Sequence, residues 1–164
     1  MLLGFNQLKS NLLAAHKNNK LHHAILLHGK KGIGKSSFAK ELVSEILNSK
    51  NTNHPDLLLI EKEPDKKEIP VARIRKIAGF FNQTSAISKY KFIIVDCADD
   101  LNKSSSNALF KTLEEPQANN FLILISHNPN KVMATIKSRC QSVKVPDLSL
   151  ADFTQILQKN NPNI

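Results

Sequence analysis

Cysteine is scarce in this sequence, and long apolar runs are absent. Two cysteines in 164 residues are too few for a disulfide scaffold or a four-cysteine zinc site, so we expect no zinc. No apolar run is long enough to span a bilayer, and the amino terminus lacks the charged-then-apolar pattern of a secretion signal. These absences predict a cytoplasmic protein with no membrane partner.

Arginine is also rare, although the chain is strongly basic. Only three of the 23 basic residues are arginines, namely Arg73, Arg75 and Arg139, and the formal net charge is +9. Such a charge favours an acidic partner such as DNA. However, the lysines are scattered and asparagine is frequent, so a lysine–asparagine bias of the whole proteome is an alternative explanation. Direct contact with nucleic acid is therefore left open.

Glycine is rare as well, and it is concentrated at one place. Three of the five glycines lie in the run from Gly29 to Ser36, which has the form G-x-x-x-x-G-K-S. An apolar strand-like run (24–27) precedes it and a helix-periodic stretch (35–47) follows. Glycines let the backbone direct its N–H groups toward phosphate oxygens, and the helix dipole favours the same anion. The pattern predicts a nucleotide site, and the alternative is a strand-to-helix turn that binds nothing.

The residue types within this run assign roles for ATP and Mg²⁺. In such a loop the lysine, Lys35, reaches the β- and γ-phosphates, and the hydroxyl of Ser36 ligates Mg²⁺. The residues predicted to bind the nucleotide are Gly29, Lys30, Lys31, Gly32, Ile33, Gly34, Lys35, Ser36 and Ser37.

Hydrophobic periodicity predicts the elements around this loop. Helices are expected over 5–17, 35–47, 71–81, 104–113 and 131–136, strands over 24–27, 56–60, 92–95, 121–125 and 142–145, and a further helix can begin in the tail at 149–159. Strands without polar alternation that are separated by helices favour a parallel sheet covered on both faces. The fold class is therefore α/β, with three α/β/α layers of the phosphate-loop NTPase kind.

A second part of the nucleotide site is predicted at Asp96. This aspartate ends the apolar run 92–95, where phosphate-loop enzymes hold the Mg²⁺ shell; the alternative is a turn-forming aspartate. Many such ATPases carry a glutamate next, but this chain has Cys97, and a thiol is a poor general base at neutral pH. Asp99 and Asp100 are expected to point elsewhere. The sequence therefore predicts nucleotide binding with weak hydrolysis.

Further along, the chain resembles the clamp-loader ATPases of the AAA+ class. The run from Ser106 to Pro116 is similar to the helix that follows their acidic motif, and Ser138-Arg139-Cys140 is similar to their arginine-finger motif. The acidic motif from Val95 to Asp99 most resembles that of delta-prime subunits of bacterial DNA polymerase III, although gamma/tau subunits share most of these motifs.

The resemblance implies an AAA+ nucleotide-binding domain over residues 1–147 and the start of a lid over 148–164. It implies that Arg139 acts in trans in a neighbour's site; the alternative is a surface arginine paired with a nearby acid. Asn128 would lie near the position that senses the γ-phosphate, unless it only starts a turn before Pro129. The implied partners are gamma/tau and delta subunits and, indirectly, the sliding clamp that is loaded onto primed DNA in replication. The chain would thus belong to a DNA-directed DNA polymerase, a nucleotidyltransferase.

Three departures from the family pattern limit these implications. The four-cysteine zinc insertion of many relatives is absent between Leu47 and Asp56, and the glutamate after Asp96 is missing. The chain also ends at Ile164, before the helical lid and collar are complete, so we expect a fragment or a short protein. Two alternatives stay open: a gamma/tau-like ATPase motor, which Cys97 disfavours, and a phosphate-loop kinase, which the scarcity of arginine disfavours.

Overall fold

The computed structural model describes residues 4–51 and 53–160. Its α-helices are α1 (Asn6–Lys17), α2 (Lys35–Ile46), α3 (Val71–Asn82), α4 (Lys103–Glu114), α5 (Ala134–Lys137) and α6 (Leu150–Asn160). Its strands are β1 (Ala24–His28), β2 (Leu57–Ile60), β3 (Lys91–Val95), β4 (Asn120–Ser126) and β5 (Gln141–Lys144). Residues 161–164, the end of the predicted lid segment, lie outside the described residues. None of the helices in the described part is long and apolar enough to cross a membrane.

The strands form one parallel sheet in the order β2-β3-β4-β1-β5. The continuous apolar runs explain this arrangement, because a strand that is apolar on both faces is stable only between two covering layers. All five residues of β3 are buried, whereas most of β5, at the edge of the sheet, is exposed. The prediction of a three-layered α/β fold is confirmed.

Each face of the sheet contributes to a separate apolar core. Leu26 of β1 packs into the core under α3, α4 and α5, and the next residue, Leu27, packs into the core under α1 and α2. Successive side chains of a strand point to opposite faces, so one short run supplies both layers. The strands are thereby held between two layers of helices.

The helix predicted over 131–136 is wrong in extent. The chain instead forms a short 3₁₀ helix (Pro129–Lys131), passes through extended residues, and resumes as α5. Val132 is extended (φ −79°, ψ 131°) and only 4% exposed, because this conformation lets its side chain enter the core beside α4. The other predicted helices and strands differ from the observed ones by at most one residue at either end.

Candidate nucleotide-binding site

The carboxyl ends of three neighbouring strands form the edge of the sheet where the site lies. His28 at the end of β1 is in register with Ser126 of β4, and Val95 of β3 is in register with Leu124 of β4. Residues that follow these strands are therefore brought together although they are far apart in sequence. Crevices at the carboxyl ends of parallel strands are the usual ligand sites of this fold class.

The loop between β1 and α2 has the geometry of an anion cradle. Gly32 and Gly34 have left-handed backbone angles, with φ of 82° and 95°, which residues with a side chain rarely adopt. A Cβ at Gly32 would meet no atom within 4 Å, so the loop is open at that point. Within the described residues, the N–H groups from Lys30 to Gly34 donate to no acceptor. Successive unpaired N–H groups of this kind can bind phosphate oxygens.

Lys35, the first residue of α2, is held inside this loop. Its side chain is buried, and its Nζ donates to the carbonyl oxygens of Gly29 (2.8 Å) and Lys30 (2.6 Å). Burial lowers the pKa of Lys35, and the nearby carboxylates of Asp99 and Asp96 partly offset this effect. The loop carbonyls thus satisfy the ammonium in this conformation.

The remaining loop residues differ in their surroundings. Ser36 is half-buried and Ser37 is exposed. Close packing surrounds Gly29, because a Cβ there would come within 3.0 Å of both the Ile33 side chain and the Val145 carbonyl. A side chain at this position would therefore require its neighbours to shift.

One ion pair connects the loop to the segment that leads into α6. The Nζ of Lys30 lies 2.7 Å from a carboxylate oxygen of Asp147, and both side chains are more than half exposed (75% and 52%). The same contact lowers the pKa of Asp147. This exposed ion pair links the loop to the β5–α6 connection, in addition to the close approach of Val145 to Gly29.

Asp96 and Cys97 follow β3 at this edge. The N–H of Asp96 donates to the carbonyl of Ile60 (2.8 Å), so the turn continues the β2–β3 pairing. Cys97 has left-handed angles (φ 62°, ψ 55°), and its Sγ lies 3.7 Å from Asp96 Oδ1 and 3.8 Å from His127 Nε2. Burial, followed by the charges of Asp96 and Asp100, raises the pKa of Cys97 to about 11. The thiol is therefore neutral at physiological pH and cannot serve as a general base.

The expectation that Asp99 points elsewhere is wrong. A 3₁₀ turn (Ala98–Asp100) directs its carboxylate back to the end of β4. There Oδ1 accepts from the Ser126 hydroxyl (2.5 Å) and Oδ2 from the His127 N–H (2.7 Å), with longer bonds from the Asn128 N–H (3.3 Å). Asp100, in contrast, pairs with Lys62 (2.8 Å). Asp99 thus fixes the residues that follow β4.

His127 belongs to the site and was missed by the sequence reasoning. It follows β4 directly, lies near Cys97, and its Nδ1 is buried without a hydrogen-bond partner in the described part of the chain. Burial lowers the pKa of His127, and the positive charge of Lys35 lowers it further. Its position two residues past the apolar run 121–125 is the signal that could have identified it. The neighbouring Asn128 is exposed, and its side chain accepts from the Asn130 N–H (3.2 Å).

Arg139 makes its contacts at another surface. It follows α5, and its guanidinium stacks on the Phe110 ring of α4 (4.3 Å) and lies 3.8 Å from a carboxylate oxygen of Glu114. The side chain is 38% exposed. The structure therefore brings together the phosphate loop, Asp96, Asp99 and His127, while the described contacts of Arg139 involve α4 and its own turn.

The strand order, the phosphate loop after β1 and the acidic residues after β3 define the class: this is a phosphate-loop NTPase fold of the AAA+ type. A solved structure of similar shape is a DNA polymerase III gamma subunit-related protein from Thermotoga maritima. That structure has a TM-score of 0.74 and 23% sequence identity, over 90% of this chain and 49% of that one.

Sequence comparison then gives the family. The protein-family model described as "DNA polymerase III, delta subunit" matches residues 4–149, so the chain belongs to that family. It is 34% identical to DNA polymerase III subunit delta' of Pseudomonas aeruginosa, over 76% of this chain and 43% of the relative. It is also 34% identical to the delta' subunit of Bacillus subtilis, over 77% and 43%. The chain therefore spans less than half the length of these relatives.

Proposed function

We propose that this chain is the nucleotide-binding part of a clamp-loader subunit of the delta-prime type. The observation that carries the proposal is the loop from Lys30 to Gly34 around a buried lysine, in a chain of this family. Its five N–H groups have no acceptor among the residues that the structure describes. A subunit of this kind would act with gamma/tau and delta subunits in the cytoplasm, within a DNA polymerase holoenzyme that places a sliding clamp on primed DNA. The net charge of +9 also supports direct contact of this chain with DNA.

The ligands we propose are ATP and Mg²⁺, and the residues present fit both. The loop residues Gly29 to Ser37 would surround the phosphates, and we propose that Ser36 and Asp96 would hold the metal ion. When bound, Mg²⁺ neutralises charge on the phosphates. Lys35 would then donate to phosphate oxygens instead of to its two carbonyl partners. One pair of hydrogen bonds to oxygen would thus replace another. Asn128 would lie near the position that senses the γ-phosphate, with His127 beside it in the chain.

Hydrolysis by this chain is proposed to be weak. The residue after Asp96 is a cysteine whose raised pKa keeps it protonated, so the position lacks the carboxylate that would orient water. Arg139 is proposed to complete a neighbouring subunit's site instead. To do so, its side chain must leave Phe110 and Glu114. This movement costs little free energy, because an exposed cation–π interaction is worth about 1 kcal/mol or less.

Thermal unfolding with and without ATP and Mg²⁺ tests the binding site. A ligand that binds only the folded state raises the midpoint, and Lys35→Ala should remove most of that rise. Lys76→Ala, an exposed lysine of α3, serves as the matched control and should keep it. If millimolar ATP does not change the wild-type curve, the nucleotide site is absent and the proposal fails.

Turnover measurements separate the delta-prime proposal from a gamma/tau-like motor. The wild-type chain should hydrolyse ATP barely above background, and Cys97→Glu should raise the rate if the other groups are competent. A robust wild-type rate that Lys35→Ala abolishes would favour the motor.

Arg139 is tested in a reconstituted complex. Arg139→Ala should leave ATP binding by this chain unchanged while it lowers the partner's ATPase rate, because an arginine supplied in trans is worth about a thousandfold in phosphoryl transfer. Arg139→Lys should restore little, since an ammonium lacks the planar fork. Lys137→Ala, in the same turn, is the control. Full activity of the assembled Arg139→Ala complex would refute this role.

A further inference from the structure

A second concave site lies between α3 and α4, away from the phosphate loop. It is a cavity of about 550 Å³, closed at one end by the start of β4 and the α4–β4 connection. None of the loop residues from Gly29 to Ser37 lines it. Its size is within the range of about 300 to 1,000 Å³ that is typical of ligand sites. We call it the α3–α4 groove.

Small side chains on the facing helices give the groove its depth. Ala78 of α3 and Ala108 of α4 line it, and between them the apolar side chains of Ile74, Leu113 and Leu122 reach its surface. These three residues are at most 4% exposed, so the floor is part of the hydrophobic core. An apolar group placed here would contact a preformed surface.

Two cations border this floor from opposite helices. Arg75 of α3 and Lys111 of α4 both line the groove and are exposed, and neither has an ion-pair partner within the described part of the chain. The single acidic residue of the lining is Glu115. Unpaired cations on two sides of a concavity are complementary to an anionic group that enters between them.

Carboxamides make up much of the remaining wall. Asn82 at the end of α3 accepts from the Gln117 side chain (2.9 Å), and Asn120 donates to Gln117 (3.0 Å), which closes that end of the groove with a hydrogen-bonded network. Asn107, in the middle of the α4 side, makes no side-chain hydrogen bond to another described residue. A free carboxamide can both donate to and accept from a peptide backbone.

We propose that the α3–α4 groove binds a short segment of a protein partner in which an acidic side chain stands beside an apolar one. The acid lies between Arg75 and Lys111, the apolar side chain rests on the floor, and Asn107 pairs with the backbone. A nucleic acid fits the groove less well, because its phosphates need a row of cations, whereas the lining offers two cations and Glu115.

Backbone amide NMR with defined hexapeptides tests this site. The probe is Gly-Leu-Phe-Asp-Glu-Gly, and its controls are Gly-Leu-Phe-Asn-Gln-Gly, which lacks the charge, and Gly-Ser-Gly-Asp-Glu-Gly, which lacks the apolar group. We expect the probe to shift the amide signals of Ala78 and Ala108 and to bind about tenfold more tightly than either control. Absence of such shifts at millimolar probe overturns the proposal.

Variants of the full chain then assign the contacts. Arg75→Glu and Lys111→Glu should each weaken probe binding about tenfold, whereas Lys76→Glu and Lys103→Glu, exposed lysines on the same helices outside the lining, should not. Glu115→Gln should tighten binding, and Ala78→Trp should block it by filling the groove. Equal binding by the lysine controls and the groove variants, or displacement of the probe by oligo-dT, would overturn the proposal; the latter would favour nucleic acid.

Discussion

Asp56 and Asp99 make the same kind of contact at opposite ends of the strands: each carboxylate accepts hydrogen bonds from backbone N–H groups. Asp56 precedes β2, is fully buried, and accepts from the N–H groups of Ala86, Ile87 and Ser88 at 2.6 to 2.9 Å. Asp99 follows β3 and accepts from the residues that follow β4. Each carboxylate ties one connection to a neighbouring strand.

The two aspartates differ in the surroundings of the loops that they bind. The residues bound by Asp56 form a loop at the amino ends of the strands, on the side of the sheet away from the phosphate loop. Those bound by Asp99 include His127, which lies near Lys35 and Cys97. The same carboxylate contact is therefore structural at the amino ends of the strands and positions the candidate site at their carboxyl ends. Only the end of the strands at which each aspartate lies distinguishes the two roles.

The largest effect is expected for Asp56→Ala, which should lower the stability of the protein. Removal of a buried acceptor of three backbone N–H groups should lower the free energy of unfolding by about 3 kcal/mol. Urea unfolding measures this change. Asp65→Ala, an exposed acid in a turn, should cost less than about 0.5 kcal/mol. Nucleotide binding by folded Asp56→Ala should match the wild type; a selective loss of binding would contradict the structural role.

Asp99→Ala should affect nucleotide affinity more than stability. Its loss of stability should be smaller, about 1 to 2 kcal/mol, since Asp99 is partly exposed. The affinity for ATP should fall about tenfold because the residues after β4 lose their anchor. Titration calorimetry at a temperature where both proteins are folded measures the affinity. Wild-type affinity in Asp99→Ala would show that Asp99 has no positioning role.

The pH dependence of stability sharpens the comparison further. Burial raises the pKa of Asp56, but the hydrogen bonds from Ser88, Ala86 and Ile87 outweigh it, so the folded-state pKa is below the ordinary value. The stabilisation is therefore complete above the unfolded-state pKa of about 4 and is lost as pH falls through the folded-state pKa. The stability difference between wild type and Asp56→Ala should be constant from neutral to mildly acidic pH and narrow below about pH 4. A constant difference down to the acid transition would contradict this.

The smallest effect is expected at the exposed pair of Lys30 and Asp147. Asp147→Asn frees the Lys30 ammonium for phosphate and should raise the affinity for ATP only about twofold, since an exposed ion pair contributes little. Asp65→Asn is the charge-matched control, and both titrations should be run at low salt. An unchanged affinity in Asp147→Asn would show that this contact does not restrain the loop.

Local signals were sufficient to predict most elements of the fold. The apolar runs of β1, β3 and β4 and the glycines of the phosphate loop have consequences within a few residues of the chain, and each was assigned to within one residue. The helix predicted over 131–136 failed because Val132 is extended to reach the core, and periodicity alone does not reveal which residue the core requires.

The sequence by itself determined the α/β class, the phosphate loop and the neutral cysteine after Asp96, because these depend on residue type and short spacing. Only the tertiary structure decided that Asp99 points into the site, since its partner Ser126 is 27 residues away in sequence. The same holds for His127 beside Cys97, for Arg139 against Phe110 and for the α3–α4 groove. Contacts between distant residues depend on strand order and on the packing of helices, which no short stretch of the chain encodes.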